Sequence, residues 1–390
     1  MERLGDLVEQ IRGVSYKPED LHDALNENSV TLLRANNIRN GELNFDDVVY
    51  VDKSKVKATQ YLKAGDIFVC ASSGSKDLVG KAAYVPSDVP AVFGAFCKVV
   101  RPKIENSQYI GHYFDSPSYR KKISDLAAGA NINNIRNEHI DELLIRIPSL
   151  AEQEEISTIL SKLNNLISLR KQQLAKLDEL VKARFFELFG DPVDNPMGWS
   201  TKQLQELVTD DCTISYGIVQ TGDDQEEGVP VFRPVDIVNR IPVRAELKKT
   251  TEEISNKYKR TILKGREMLI TVRANIADTC IVGEEFTGCN VGRGIVPIRT
   301  REDEMILEFL KYQIDSKHLN DNIKALAKGI TLIQLNMEDL REVTLIVPPI
   351  EKQKSFVELA KQTDKSKLAI QQSLDKLETL KKSLMQKYFG

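Results

Sequence analysis

A glycine-rich stretch in the first half of the chain has the residue types of a phosphate-binding loop. Gly74 and Gly80-Lys81 frame it, and such loops hold phosphates with backbone N–H groups and a lysine. The spacing differs from the motif, because five residues separate the two glycines where four are needed. Ala82 also occupies the place of the Ser/Thr that ligates Mg²⁺. We therefore expect no nucleotide site here.

A second set, Asp236 followed by Glu246-x-Lys248, has the carboxylates found in two-metal nucleases. It has neither a matching preceding strand nor a clear counterpart elsewhere in the chain, so it does not support a nuclease site. The VPPI sequence at 347–350 lacks the Asn/Asp-Pro-Pro-aromatic motif of adenine methyltransferases, because Val and Ile flank its prolines. We expect a protein without catalytic residues.

Neither the histidines nor the cysteines have the spacing of a metal site. The histidines are dispersed at positions 22, 112, 139 and 318, and no two of the five cysteines form a Cys-x-x-Cys pair. An odd number of scattered cysteines argues against a disulfide framework and fits a reducing cytoplasm. The sequence predicts a cytoplasmic protein with no metal and no cofactor.

Length and composition point to more than one folded domain. The chain has 390 residues, of which 41% are hydrophobic, enough for two or more domains with their own cores. No stretch has the apolar length of a signal peptide or a membrane span. The formal net charge is -3, so contact with a nucleic acid would have to come from local basic patches.

The two halves of the chain repeat each other at an offset of about 200 residues. Anchor residues of the first half recur in the second: Gly129, Glu138, Pro148, Phe189 and Gly190 return as Gly329, Glu338, Pro348, Phe389 and Gly390. The segments between anchors share little, as LLRANNI against VFRPVDI shows. The chain therefore contains two copies of one architecture with the same framework and different contents.

Each copy is predicted to contain the same elements in the same order. Short β-like runs come first, DIFVCA, KAAYV and AFCKVVRP in the first copy and MLITVRA, DTCIV and RGIVPIR in the second. A helix-like segment follows, at 109–129 and at 306–329, each ending at a glycine suited to a C-cap. A short strand then leads through proline into a long helix.

The two long helices carry the clearest periodicity. In the first, Ser149 and Glu152 have the spacing of a capping box at the start of the helix, and Gly190 before Asp191-Pro192 is a C-terminal stop signal that predicts the end of the helix. Apolar residues at 4-3 spacing predict a helix-pairing seam. In the first helix it contains Ile156, Leu160, Leu163, Ile167, Leu174, Leu177 and Val181. In the second it contains Leu374 and Leu377, but also the polar residues Thr363, Lys367 and Lys381.

The apolar stripe of each helix needs a partner. About 39 residues at a rise of 1.5 Å give a rod of roughly 58 Å. Since the chain carries two such helices, the simplest arrangement is an antiparallel pair within one chain, with a globular unit at each end. Coiled-coil homodimerisation stays open, because the pattern fixes the pairing and not the partner.

The segments around the two helices resemble the conserved regions of Type I restriction-modification specificity subunits. The shared marks are the IPSLAEQ and VPPIEKQ entries, the long amphipathic helix, the FG exit, and FGDPVDNPMGW leading into the second variable unit. The likeness covers the whole chain in the order variable unit, helix, variable unit, helix. The first unit departs from it by beginning at Leu4 without an NPxGW lead-in.

The resemblance implies an α+β fold with an internal pseudo-twofold repeat. Two similar α/β target recognition domains, 1–148 and 191–347, would be separated by two long antiparallel coiled-coil helices, 149–190 and 348–390. It implies a non-catalytic subunit that reads a bipartite, asymmetric target in double-stranded DNA. Modification (methyltransferase) subunits docked on the helices would methylate adenine, and restriction (translocase and nuclease) subunits of the full complex would cleave.

Polar side chains on projecting loops are the candidates for contacts to DNA, because sequence readout needs donors and acceptors there. In the first unit they follow the DIFVC strand and are Ser72, Ser73, Ser75 and Lys76. In the equivalent loop of the second unit they are Thr271, Arg273 and Asn275. Arg and Asn suit guanine and adenine edges. An ordinary solvated loop is the alternative for each.

Three further arginines are candidates. Arg293 lies between glycines that would let the backbone approach a ligand closely. Arg34 and Arg233 match across the repeat, which fits a contact with DNA or a role in the scaffold equally well.

For the whole protein, the alternatives are a tandem-repeat protein–protein adaptor without DNA binding and a fused nuclease or methyltransferase. Genes for a methyltransferase and a translocase beside this one would favour the specificity subunit over the adaptor.

Overall fold

The computed structural model describes residues 1–75, 77–127, 133–237, 242–329 and 333–390. The chain forms two compact units, Met1–Gln172 with Gln371–Gly390, and Gln173–Ile370. These units divide the chain within the long helices, whereas the predicted segments divide it at the helix ends, and that division into segments stays a prediction. Among the described residues, no helix combines the length and hydropathy needed to cross a bilayer.

The first unit is built on two four-stranded sheets. Its strands are β1 (Glu2–Arg3), β2 (Val8–Arg12), β3 (Leu21–His22), β4 (Ser29–Leu33), β5 (Ile38–Arg39), β6 (Glu42–Leu43), β7 (Val49–Asp52), β8 (Ile67–Cys70), β9 (Ser72–Ser73), β10 (Ala82–Tyr84), β11 (Ala91–Phe93), β12 (Cys97–Pro102), β13 (Asn133–Asn134) and β14 (Leu144–Ile145). One sheet has the order β10-β8-β12-β2 and is antiparallel; the other has the order β11-β4-β7-β3, with β11 parallel to β4.

Short helices cover one face of the first sheet. They are α1 (Leu4–Leu7), α2 (Ser107–Asp115), α3 (Pro117–Ala127) and α4 (Asn137–Asp141). Alternate residues of β8 face two cores: Ile67 and Val69 pack with the helices, while Phe68 and Cys70 pack with the second sheet. Burial on both faces explains why DIFVCA is a continuous apolar run.

The second unit repeats this arrangement. Its strands are β15 (Thr201–Gln203), β16 (Val229–Phe232), β17 (Lys248–Thr250), β18 (Glu267–Thr271), β19 (Thr279–Val282), β20 (Asn290–Val291), β21 (Ile295–Ile298) and β22 (Thr344–Ile346). The sheets have the orders β19-β18-β21 and β17-β16-β20, with β16 parallel to β20. The short helices are α6 (Leu204–Leu207), α7 (Glu252–Lys257), α8 (Leu307–Ile314), α9 (Lys317–Ala325) and α10 (Met337–Arg341), where α5 denotes the long helix Leu150–Phe189. The strands predicted from both copies are confirmed.

The predicted helix-like segment of each copy is two helices instead of one. In the first unit Ser116 separates α2 from α3: its hydroxyl donates to the Tyr113 carbonyl at 2.6 Å and accepts from the Tyr119 amide at 3.2 Å. Ser316 separates α8 from α9 and donates to the Gln313 carbonyl at 2.6 Å. The serine hydroxyl replaces main-chain partners at the break, which the helical periodicity did not indicate.

The ends of α5 confirm part of the predicted capping. Gly190 has a φ of +74° and its amide donates to the Phe186 carbonyl at 2.9 Å, so the predicted stop is confirmed. The capping box is only half formed. The Ser149 hydroxyl accepts from the Glu152 amide at 3.4 Å, but the Glu152 carboxylate binds Arg146 at 2.8 Å instead of returning to the cap.

Within each unit, a segment of α5 pairs antiparallel with a segment of α11 (Ile350–Phe389). In the first unit Ile156 and Leu160 pack with Met385 and Phe389, and Lys171 binds Glu378 at 2.8 Å. In the second unit Phe185 and Phe189 lie 5.4 and 5.7 Å from Phe356 between ring centroids, and Asp178 binds Lys367 at 2.6 Å. The predicted intramolecular antiparallel pairing is therefore confirmed.

Burial along the predicted seam is uneven. Ile156, Leu160, Leu163, Ile167 and Leu374 are buried, whereas Leu174, Leu177 and Leu377 are half-buried. The polar residues on the second seam have partners. Besides Lys367 with Asp178, Lys381 binds Asp115 of α2 at 2.6 Å, and the Thr363 hydroxyl donates to the Leu359 carbonyl at 3.0 Å. The polar seam is thus accommodated by ion pairs and a main-chain hydrogen bond.

Candidate nucleic-acid interface

In each unit the central strand ends beside two other segments, and we call this point the strand-end site. In the first unit it comprises residues 71–73, 94–97 and 133–135. The Ala71 and Ser72 amides both donate to the Phe96 carbonyl at 2.9 Å, and the Ile135 amide donates to the Ala71 carbonyl at 2.8 Å. These main-chain bonds fix three segments that are distant in sequence.

The strand-end site of the second unit comprises residues 272–275, 292–295 and 333–335, and two of these main-chain bonds have equivalents there. The Val272 amide donates to the Gly294 carbonyl at 2.8 Å, and the Leu335 amide donates to the Val272 carbonyl at 3.0 Å. By these bonds Ser72 corresponds to Arg273. The framework is therefore shared, while the side chains that it presents differ.

The first-unit candidates are less loop-like than the sequence suggested. Ser72 and Ser73 form β9, which pairs antiparallel with Asn133–Asn134, so the prediction of a flexible loop is wrong for these two residues. Ser75 is exposed, and its hydroxyl accepts from the Asp77 amide at 3.3 Å. Lys76 lies outside the described residues. Whether these residues contact DNA stays a prediction.

Phe96 belongs to this site and was missed by the sequence reasoning. Its side chain is 72% exposed, which is unusual for a phenylalanine beside polar groups. An exposed aromatic side chain is suited to stacking on bases or to wedging between them. The Phe96 and Gly294 carbonyls accept equivalent main-chain hydrogen bonds, so Phe96 stands where the second unit has Gly294. An alignment of the two copies would therefore have shown a phenylalanine in the place of a glycine.

Thr271 anchors the second-unit loop from inside. It has no exposed surface, its hydroxyl donates to the Asn275 carbonyl, and the Asp278 amide donates to that hydroxyl at 2.9 Å. A fully buried hydroxyl with two partners argues against contact with DNA. Asn275 is exposed, and Ala274 before it has a φ of +61°, a conformation that costs an L-residue free energy.

Arg273 and Arg293 form a cationic pair at the second site. The Arg273 Nε donates to the Gln334 side-chain oxygen at 2.6 Å. Desolvation and the neighbouring Arg293 guanidinium lower the pKa of Arg273 from its usual value. The Nε of Arg293 is buried without a hydrogen-bond partner. Within the described ranges neither arginine has a carboxylate partner, so the pair offers unneutralised donors to an anion or a base edge.

The glycines around Arg293 have a different purpose from the one predicted. A Cβ at Gly294 would lie 2.6 Å from the Pro234 side chain, and a Cβ at Gly292 would lie 3.2 Å from the Phe232 carbonyl. They allow the protein to pack against itself, so the prediction that they make room for a ligand loses its support.

Arg34 and Arg233 are held by carboxylates. Arg34 donates through Nη2 to Asp47 at 3.1 Å, and Arg233 donates through Nε and Nη2 to Asp236 at 3.0 and 2.8 Å. These pairs favour the scaffold role, and a contact with DNA stays a prediction. Asp236 is engaged in this pair and its side chain is only 2% exposed, which does not favour a role for it in a nuclease-like carboxylate set.

The fold brings His318 close to two carboxylates that are distant from it in the sequence. His318 at the start of α9 lies 3.2 Å from Asp191 and 3.9 Å from Asp194, in the turn after α5. His318 and Asp194 are exposed and Asp191 is half-buried. Such a group of largely exposed side chains does not by itself make a metal site.

A family model described as Type I restriction modification DNA specificity domain matches residues 1–179 and again 196–381. The chain is 28% identical over 405 residues to the Type I restriction enzyme StySPI specificity subunit of Salmonella potsdam, covering 97% of this chain and 86% of the relative. It is 43% identical over 173 residues to the EcoKI specificity subunit of Escherichia coli, covering 44% of this chain and 37% of that subunit.

A solved structure has the same fold over the whole chain. The S subunit of a Type I restriction-modification system from M. genitalium superposes with a TM-score of 0.59 at 14% identity, covering 100% of this chain and 95% of that one. At this identity the likeness concerns the fold alone, and it agrees with the predicted α+β architecture of repeated domains and long helices.

Proposed function

The chain belongs to the family of Type I restriction modification DNA specificity domains, and from this premise we propose that it is the subunit that selects the DNA sequence for a Type I restriction-modification complex. It carries out no chemical step itself and directs adenine methylation and cleavage by its partners. One observation supports this proposal and indicates which residues read the sequence. Both units share two equivalent main-chain bonds at the strand-end site but present different side chains there.

Two different sets of side chains on one framework predict a target with two different halves. The second unit presents Arg273, Arg293 and Asn275, which suit acceptors on guanine, adenine or phosphate. The first unit presents β9, the exposed Phe96 and neutral polar groups. Because the two sites differ, the proposed target is bipartite and asymmetric.

Apolar side chains left exposed on the long helices support docking of partner subunits there. In the first unit Leu166 and Leu169 are each 45% exposed and Leu380 is 49% exposed; in the second unit Leu180 is 55% and Leu368 is 61% exposed. Leu166 and Leu169 lie three residues apart and therefore on one helix face, and contiguous exposed apolar side chains mark interaction surfaces. We assign it to the modification subunits, with restriction subunits joining the full complex, and we place the complex in the cytoplasm.

The test is to identify the methylated motif in cells that carry this chain with the modification subunit of its own system. Genome sequencing that detects N6-methyladenine gives the motif directly. Arg273→Ala/Asn275→Ala should relax or abolish one half of the motif and leave the other half unchanged. Absence of any motif that depends on this chain would reject the proposed function, whereas an unchanged motif in the variant would remove only these two residues from the reading surface.

A further inference from the structure

The first unit contains a cleft of about 370 Å³ next to its strand-end site. Ala71, Ala95 and Asn134 line both the cleft and that site. The cleft is also lined by the buried Lys98, whose position we call its inner end, by the half-buried Gln10 and by the exposed Asn137. Anything bound at the strand-end site can therefore reach into the cleft. Sequence reasoning assigned no role to the residues at its inner end.

Lys98 is a buried cation at that inner end. The residue is 7% exposed, and its Nζ donates to the Gln10 side-chain oxygen and to the Asn137 side-chain oxygen, each at 2.9 Å. Gln10 is itself oriented by hydrogen bonds from its Nε2 to the Asn137 carbonyl at 3.0 Å and to Asp141 at 2.8 Å. A lysine ammonium has three donors, so two fixed neutral acceptors leave one donor for a further group.

The position of Lys98 makes this burial unusual. On β12 it pairs with Val69 of β8 and faces the same side as Val100, which lies in the core beneath the helices. A buried charge is costly unless it is paired, and the described residues give Lys98 no ion pair. Burial lowers the pKa of Lys98 to about 8, which leaves it mainly protonated near neutral pH.

The second unit places its cations differently at the same site. Val296, which pairs with Ile270 of β18, stands where the first unit has Lys98, and Met337 stands where it has Asn137. Conversely, Ser72 and Ala95 of the first unit stand where the second has Arg273 and Arg293. Within residues 71–73, 94–97 and 133–135 the first unit thus carries no cation, and Lys98 lies at the inner end of the cleft. The equivalent segments of the second unit carry two cations, and the apolar Val296 takes the place of Lys98.

We propose that Lys98 is a DNA-contacting cation of the first unit, donating its third N–H through the cleft to a hydrogen-bond acceptor of the bound DNA. This inference rests on the proposed function. The acceptor is an oxygen or nitrogen on a base edge or an oxygen of a phosphate, and both have the same chemistry toward an ammonium. Lys98 is a specificity-determining or affinity-determining residue, and Gln10 and Asn137 position it.

The variants are Lys98→Met and the double variant Lys98→Val/Asn137→Met. The double variant copies the residues that the second unit carries at these two positions, so the framework is expected to tolerate it if the single variant fails to fold. Lys122→Met on α3 is the matched control, because this lysine is exposed and the described part of the unit gives it no ion pair. All are studied in the full chain with its modification subunit, and thermal unfolding checks folding.

Two measurements separate the sources of the acceptor. If it is a base, the methylated motif loses discrimination at one position of the first unit's half-site, by roughly 5- to 150-fold, and the other half is unchanged. If it is a phosphate, the motif is kept, but binding to a duplex carrying it becomes less salt-dependent, with the slope of log K against log salt reduced by about 0.9.

Either change, absent in Lys122→Met, supports the proposal, since a purely structural lysine would alter neither the bases read nor the salt slope. A folded double variant with the motif and the salt slope of the wild type would overturn it. If the wild-type chain directs no methylation and binds no duplex, the proposed function itself has failed, and that outcome is seen before any variant is compared.

Discussion

Removing both loop arginines of the second unit should weaken DNA binding in a way that salt reveals. In Arg273→Ala/Arg293→Ala, two guanidiniums without carboxylate partners in the described residues are lost, so the change falls on groups available to DNA. If both contact phosphates, the slope of log K against log salt falls by about 1.8. Between roughly 50 and 200 mM salt, the wild type should then lose about 12-fold more affinity than the variant.

A matched control separates this effect from the loss of net charge. Arg301→Ala/Lys317→Ala removes two exposed cations from the same unit, each of which is paired with an exposed carboxylate, Asp210 or Asp321. Such surface pairs contribute little to stability. Binding is measured by fluorescence anisotropy on a duplex that carries the methylated motif. If the two double variants share one salt slope and one motif, Arg273 and Arg293 do not contact DNA and the reasoning fails.

Three further predictions concern the framework. Thr271→Val removes the side-chain hydrogen bonds that anchor the second-unit loop, so it should cost about 1–3 kcal/mol in urea unfolding and relax that half-site. Burial lowers the pKa of His112 to about 4, so between pH 6.5 and 4 the unfolded chain binds more protons than the folded one. The free energy of unfolding of the first unit should therefore fall as the pH is lowered from 6.5 to 4, by up to about 3 kcal/mol. His112→Gln should not show this contribution. Leu374→Ala, at a buried seam position, should lower the free energy of unfolding by about 2–5 kcal/mol. Leu180→Asp, at an exposed position, should leave the free energy of unfolding nearly unchanged and weaken assembly with the modification subunit, as measured by size-exclusion chromatography. Equal stability losses in the two leucine variants would contradict this assignment of faces.

The strands and the long helices could be predicted because local patterns specify them. The β8 run is apolar on both faces, as burial between two cores requires, and Gly190 adopts the positive φ that ends α5. The repeat added the architecture, since two copies of one amphipathic helix in one chain can pair with each other. The family resemblance rested on these same segments, which explains why fold and function were accessible from the sequence.

The misses have a common physical origin, which is competition between hydrogen-bond partners. Arg146 takes the Glu152 carboxylate away from the capping box, and the Ser116 hydroxyl interrupts a helix that periodicity would continue. Thr271 looks like a polar loop residue until the loop folds back over its hydroxyl. Each outcome depends on which acceptor lies nearest in three dimensions, and residue types alone do not specify that.

Lys98 was also missed because its hydrogen-bond partners are set by the three-dimensional fold, and these partners are distant in the sequence. A lysine in a strand predicts an exposed face, and its burial depends on Gln10 and Asn137, which lie 88 and 39 residues away in sequence. No local pattern indicates that two amides will meet the ammonium there. The comparison of the two units draws attention to this position, because the first unit has Lys98 where the second has Val296 in its apolar core.

The acidic net charge of the chain is compatible with binding DNA, because framework charges neutralise each other. Arg101 binds Asp66 at 2.7 Å in the first unit and Arg299 binds Glu267 at 3.0 Å in the second, and both carboxylates are fully buried. Each such pair adds nothing to the formal net charge and presents little field to a ligand, so the net charge does not report on the cations that are available to DNA. Lys98, Arg273 and Arg293 lie at or beside the strand-end sites and lack a carboxylate partner in the described residues. Affinity for DNA therefore depends on where unpaired cations lie, and the framework can stay constant while those few positions change the sequence that is read.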